Sequence, residues 1–141
     1  MERELEVTKK IAREAGRILM EIYSGDHSVE WKGYDDPVTA ADRAANKFIV
    51  AELQKHFPAD GILSEEATDT PSRLSKSRVW LVDPMDGTKQ FIERLDEFAV
   101  MIGLAINGKP ELGVVFNPAT NKITKLIMFN PIVIKRKFCS S

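Results

Sequence analysis

The chain has 141 residues, enough for one ordinary domain and hardly for two. Its 43% hydrophobic and 29% charged residues exclude a disordered coil or a collagen repeat, and a formal net charge of -1 excludes a global pull towards nucleic acid polymers or anionic membranes. The one cysteine, Cys139, excludes an internal disulfide, and with only two histidines beside it a Cys/His zinc site is excluded as well.

The opening residues Met1-Glu2-Arg3-Glu4-Leu5-Glu6 put no apolar core behind a basic start. No apolar run approaches the roughly 20 residues of a membrane span. A cytoplasmic protein without a membrane partner is expected. Residues from about 4 to 24 predict an amphipathic helix with Ile11, Ala15, Ile18, Leu19 and Ile22 on one face, stopped at Gly25. Val29 and Trp31 suggest a short strand before the loop at Gly33 to Pro37. A second helix is expected from Thr39 to about His56, with Phe48, Ile49 and Leu53 as its buried stripe and Pro58 as its end. Residues 61–64 read as a short strand, and the polar stretch 67–78 as a surface loop.

Residues 79–82 form a compact apolar run, the mark of a buried strand, ending at Asp83-Pro84. Pro84 has no N–H to extend a ladder, so the chain is expected to leave the sheet there. Residues 98–106 and 112–116 read as a hairpin, because Asn107-Gly108 between them suits the positive φ angles of a type I′ turn. After a turn at Asn117-Pro118, residues 123–129 predict one more strand. The expected fold class is α+β: two N-terminal helices on a mostly antiparallel sheet.

The chemistry concentrates around Asp83-Pro84-Met85-Asp86-Gly87-Thr88. Asp83 at a strand end and Asp86 in a tight turn closed by Gly87 can converge on one point, and Glu65, ending another strand, can arrive from the side. Three such oxygens, with the Met85 carbonyl as a fourth, suit Mg²⁺, a hard cation that prefers oxygen ligands and keeps several waters. Backbone N–H groups of Gly87 and Thr88 can receive a phosphate oxygen if a helical turn starts there. The set fits metal-assisted phosphoester hydrolysis. Taken singly, each element has a plainer reading. Asp-Pro and Asp-Gly are turn formers, Glu65-Glu66 a solvated strand edge, and Asp42 a capping residue of the second helix. Trp80, Phe91 and Phe98 read as core, Lys89 and Arg94 as surface, and His27 and His56 have no partner pattern.

The joint occurrence of Asp36-Pro37-Val38-Thr39-Ala40-Ala41-Asp42, Leu63-Ser64-Glu65-Glu66 and Trp80-Leu81-Val82-Asp83-Pro84-Met85-Asp86-Gly87-Thr88, in that order, resembles the inositol monophosphatase superfamily of metal-dependent, lithium-sensitive phosphatases. The resemblance runs from the first helix to about residue 122. Gly87-Thr88-Lys89-Gln90-Phe91-Ile92 is similar to its 3′(2′),5′-bisphosphate nucleotidase (CysQ-type) branch. It implies the N-terminal half of the superfamily fold. It implies metal ligation by Glu65, Asp83, the Met85 carbonyl and Asp86, and a catalytic group of Asp42, Thr88 and Glu65. Asp42 and Thr88 would orient the attacking water, and substrate phosphate would be held around Glu65, Met85, Asp86, Gly87 and Thr88. The implied cofactor is Mg²⁺, with inhibition by Li⁺. The implied substrate is a small phosphorylated molecule, 3′-phosphoadenosine 5′-phosphate being the best match. Inositol monophosphatase is the runner-up, with fructose bisphosphatase behind it, and a non-catalytic metal- or phosphate-binding fragment is the contrasting class.

Superfamily members continue well beyond residue 141 with a second half that completes the second metal site, and no such motif is present. Residues 124–141 also depart from the pattern. The sequence therefore reads as one N-terminal metal-binding domain, truncated, with an atypical tail. At best one well-held Mg²⁺ and little or no turnover are expected of it, and uncovered apolar faces would allow a homodimer.

Overall fold

The computed structural model describes residues 1–23, 40–64, 76–86 and 98–127, without the side chains of residues 22, 23, 40, 85, 86, 126 and 127. Expectations at Gly25, Val29, Trp31, 33–37, Glu65–75, 87–97 and 128–141 lie outside this description. Two helices, α1 (Glu2–Tyr23) and α2 (Ala40–His56), precede five strands: β1 (Gly61–Ser64), β2 (Arg78–Asp86), β3 (Ala99–Ile106), β4 (Lys109–Asn117) and β5 (Lys122–Ile127). The strands form one sheet in chain order, with β1 parallel to β2 and every later pair antiparallel. The expected α+β class is what the chain adopts.

The core follows from register. Trp80 lies opposite Leu104, which lies opposite Leu112, and Val82, Ile102 and Val114 make the next row. All six are at most 1% exposed. Alternation along each strand puts these rows on one face, which the helices cover. From α1 come Leu5, Ile11, Ala12, Ala15 and Leu19, and from α2 Ala41, Ala45, Ile49 and Leu53. The α2 stripe is thus narrower than expected. Phe48 is only partly buried, and two alanines, Ala41 and Ala45, are fully buried in the core. Ile18 is likewise only half-buried. Thr8, fully buried in α1, satisfies its hydroxyl by donating to the Glu4 carbonyl one turn earlier.

The hairpin expected at Asn107-Gly108 is present, with φ of 52° and 78°. Asn117 starts the following turn by accepting the N–H groups of Ala119 at 3.0 Å and Thr120 at 3.1 Å. Asn121 closes that turn at a φ of 58°. One expectation is corrected at Pro84. The strand does not end there but runs on to Asp86, which lies opposite Ala99, after a register shift between Asp83 and Asp86. A bulge needs no ladder N–H from its extra residues, so it accommodates a proline that a regular central strand would reject. Asp86 is therefore a strand residue and not part of the tight turn first expected.

Helix α1 approaches the sheet closely at Gly16. A Cβ there would lie 2.5 Å from Phe116 Cε2, 2.8 Å from Cδ2 and 3.0 Å from the Pro118 Cβ. The Phe116 ring is 5% exposed and lies under the Arg13 guanidinium, 5.4 Å from the ring centroid, so it has little room to retreat. Gly16→Ala is expected to destabilise by about 1–3 kcal/mol through overpacking, against the roughly 1 kcal/mol that alanine offers in a helix interior. Thermal unfolding checks the sign, and a stabilised variant would show that the ring yields.

The amino end of β2 is held by a charged cluster. Arg78 Nε donates to both Asp60 carboxylate oxygens at 3.1 Å, and its terminal nitrogen reaches Glu4 Oε2 at 2.9 Å. Trp80 Nε1 donates to Asp60 Oδ2 at 2.9 Å. Burial alone would raise the Glu4 pKa. A backbone hydrogen bond, the Arg78 guanidinium and the chain's amino terminus outweigh that and hold it below 4.5. A carboxylate with a depressed folded-state pKa stabilises above its unfolded value, and that contribution is lost as pH falls through the folded value. Wild-type protein is therefore expected to lose urea resistance from about pH 4.5 downwards more steeply than Glu4→Gln, checked by denaturation midpoints on both sides of that pH. Parallel curves for the two proteins would remove Glu4 from the account.

Candidate active site

Helix α2 runs antiparallel to β1, and two contacts fix its direction. Near its carboxyl end, Phe57 stacks on Trp80 of β2 with ring centroids 5.0 Å apart. Nearer its amino end, Asn46 Oδ1 accepts a hydrogen bond from Ser64, the last residue of β1. Asp42 is one helical turn further towards the amino end, about 6 Å along the axis, on the same side of the helix as Asn46. The first turn of α2 therefore projects towards the carboxyl ends of β1 and β2. Ser64 pairs with Val82 in register, and Asp83 is the next residue of β2.

Asp42 and Asp83 are thus brought to one end of the sheet, and both are buried, at 4% and 3% exposure. Burying two carboxylates at one end of a small domain is costly unless positive charge compensates. Asp42 also stands in the first turn of its helix, where a negative charge is favoured by the helix dipole, so the capping reading and a site role coexist. Pro84 is buried beside Asp83, and the register shift there separates Asp83 from Asp86, where pairing with β3 resumes at Ala99.

Of the remaining expected residues, Met85 and Asp86 have backbone positions in the last part of β2, and their side chains lie outside the description. Glu65, Gly87 and Thr88 lie outside it altogether. Among the described residues no group of three or more His, Cys, Asp or Glu comes together to hold an ion. The donor chemistry that is described, hard carboxylate oxygen at a strand end and a helix start, fits Mg²⁺ and does not fit a soft metal. Among the described residues no helix is long and apolar enough to cross a membrane.

The pairing of Ser64 with Asn46 at this end escaped the sequence reading. The signal available was a serine closing an apolar run directly before Glu65, and a polar residue one turn after Asp42. The charged cluster of Arg78, Asp60 and Glu4 lies at the opposite end of β2 and is structural.

Comparison with known proteins identifies the family of this fold. Residues 1–128 match the model of the inositol monophosphatase family. The 3′(2′),5′-bisphosphate nucleotidase CysQ of Salmonella typhimurium is 47% identical over 119 residues, which cover 81% of this chain and 48% of that protein. Inositol monophosphatase 3 of Solanum lycopersicum is 37% identical over 125 residues, covering 87% of this chain and 47% of that one. The crystal structure of CysQ from Bacteroides thetaiotaomicron superposes with a TM-score of 0.77 at 33% identity, covering 89% of this chain and 46% of that one. An inositol monophosphatase from Thermotoga maritima gives a TM-score of 0.76 at 36% identity, covering 90% and 48%. The chain spans about half the length of the curated relatives it matches. With two buried aspartates at the carboxyl end of a family-type sheet and a family match over residues 1–128, the chain belongs to the inositol monophosphatase family.

Proposed function

We propose that this chain supplies the metal-binding half of a Mg²⁺-dependent phosphomonoesterase site whose preferred substrate is a 3′(2′),5′-bisphosphate nucleotide. The observation that carries the reading is the burial of Asp42 and Asp83 at one end of the sheet, with Asp83 opening the run Asp83-Pro84-Met85-Asp86-Gly87-Thr88. Support for the nucleotide branch comes from the CysQ relative at 47% identity, against 37% for the inositol monophosphatase.

In this reading Asp83, Asp86, Glu65 and the Met85 carbonyl hold the ion. When bound, Mg²⁺ supplies positive charge that stabilises a phosphoryl group and the attacking oxygen. Asp42 accepts the Thr88 hydroxyl proton in a hydrogen bond, which leaves the Thr88 oxygen free to accept from water and orient it for attack. The backbone N–H groups of Gly87 and Thr88 hold phosphate oxygens. Li⁺ inhibits by competing for the same oxygens. Its substrates are small phosphorylated molecules, and a homodimer and a cytoplasmic location complete the proposal.

The test is calorimetric titration of the chain with 3′-phosphoadenosine 5′-phosphate and with inositol 1-phosphate, each with and without Mg²⁺, followed by an assay of released phosphate. Tighter, Mg²⁺-dependent binding of the nucleotide is expected, with slow phosphate release. Preferential binding and hydrolysis of the inositol ester would overturn the branch, and binding indifferent to Mg²⁺ would overturn the site.

A further inference from the structure

We propose that Ser64 and Asn46 form a positioning pair for the ion site, a role that rests on the reading just given. Ser64 is only 4% exposed, and its hydroxyl donates to Asn46 Oδ1 across the interface between β1 and α2. A buried hydroxyl is costly without such a partner, so the pair favours one seating of the helix over its neighbours. The apolar stripe of α2 does not provide this. Ala41 and Ala45 are small, and apolar contact is tolerant of sliding, whereas a hydrogen bond fixes distance and direction.

The pair lies where seating matters. Asn46 is one turn from Asp42 on the same side of α2, and Ser64 pairs with Val82, the residue before Asp83. Ser64 also directly precedes Glu65 in the sequence. One side-chain hydrogen bond thus joins the two elements that carry Asp42 and the strand ends, and neither Ser64 nor Asn46 is a metal ligand in this account. Residues that hold ligands in place characteristically change metal affinity about 10–100-fold when removed.

Mn²⁺ binding to the full chain, followed by electron paramagnetic resonance, tests the proposal without depending on turnover. Ser64→Ala and Asn46→Ala are each expected to weaken Mn²⁺ binding about tenfold, at the low end of that range. The double variant is expected to be no weaker than either single one, because the two act as a unit. Ser64→Thr, which keeps the hydroxyl, is expected to bind within about twofold of wild type, a rescue that loss of packing alone would not produce. Circular dichroism establishes that each variant is folded. Asn46→Ala, at a half-buried helical position where alanine is favoured, carries the test if Ser64→Ala unfolds. Single variants that bind like wild type, or a threonine variant as weak as the alanine one, overturn the pair. Wild-type binding that is abolished by Asp83→Asn but untouched by Ser64→Ala overturns the pair alone, whereas absence of wild-type binding overturns the ion site and the pair together.

Discussion

Replacing Trp80 with alanine is expected to lower the stability of the domain by about 3–5 kcal/mol, the range for removing a large aromatic from a packed core. Trp80 is fully buried, stacks on Phe57, and lies opposite Ile62 of β1 and Leu104 of β3. Its removal opens a cavity where α2, β1, β2 and β3 meet. It also withdraws the Nε1 donor from Asp60, which then keeps Arg78 as its described side-chain partner. Since domains of this size are stable by about 5–15 kcal/mol, the loss is a large fraction of the total. Trp80→Phe helps separate the two contributions, because it retains most of the packing while losing the donor and part of the ring volume; a cost of about 1–2 kcal/mol is expected. Urea denaturation of both variants checks the order. A Trp80→Ala loss below about 1 kcal/mol would mean that the ring is not the keystone its burial suggests.

The second large effect is chemical. Asp83→Asn preserves shape and burial and removes one negative charge, so its effect on folding is expected to be small and its effect on divalent-ion binding large. Loss of a group that merely supports a ligand costs up to about 100-fold in affinity, and a direct ligand is expected to cost at least that much. Mg²⁺ titration by calorimetry, with unfolding measured in the absence of the ion, separates the two. Binding by Asp83→Asn at wild-type strength would mean that the aspartate is a structural acid of the strand end. Asp42→Asn is expected to behave differently. It is assigned to the Thr88 hydroxyl and not to the ion, so it should leave Mg²⁺ affinity within about tenfold while suppressing phosphate release.

How much of this was legible in the sequence depends on the range of the interaction. Asn107-Gly108 announced its hairpin because the turn's φ angles are a local demand that few residue pairs meet. The helices are legible from apolar spacing, and Ile49 and Leu53 are buried in α2 as expected; the burial of Ala41 and Ala45 is not legible, because small alanines carry little hydrophobic signal, and Phe48 packs only partly buried against the core. Pro84 was over-read. Its missing N–H does forbid a regular ladder, but a bulge satisfies the same constraint without ending the strand, and only pairing with Ala99 reveals it. The Arg78 cluster was invisible, since Glu4 and Arg78 are 74 positions apart and nothing local marks either as paired. Asp42 and Asp83 were picked out by the family's motifs. Their shared end of the sheet follows from the antiparallel course of α2 against β1, fixed by Asn46 with Ser64 and by Phe57 with Trp80.

The central claim is that a divalent ion is held at the carboxyl ends of β1 and β2 beside the first turn of α2. Nuclear magnetic resonance of the isotope-labelled chain with substoichiometric Mn²⁺ tests it most directly, because the paramagnetic ion broadens amide signals according to their distance from it. The account predicts broadening centred on the amides of Asp42, Ser64 and Asp83, with those of Glu4, Asp60 and Arg78 at the other end of β2 unaffected. Broadening centred on the Glu4 and Asp60 end, or spread evenly over the acidic surface, would contradict it.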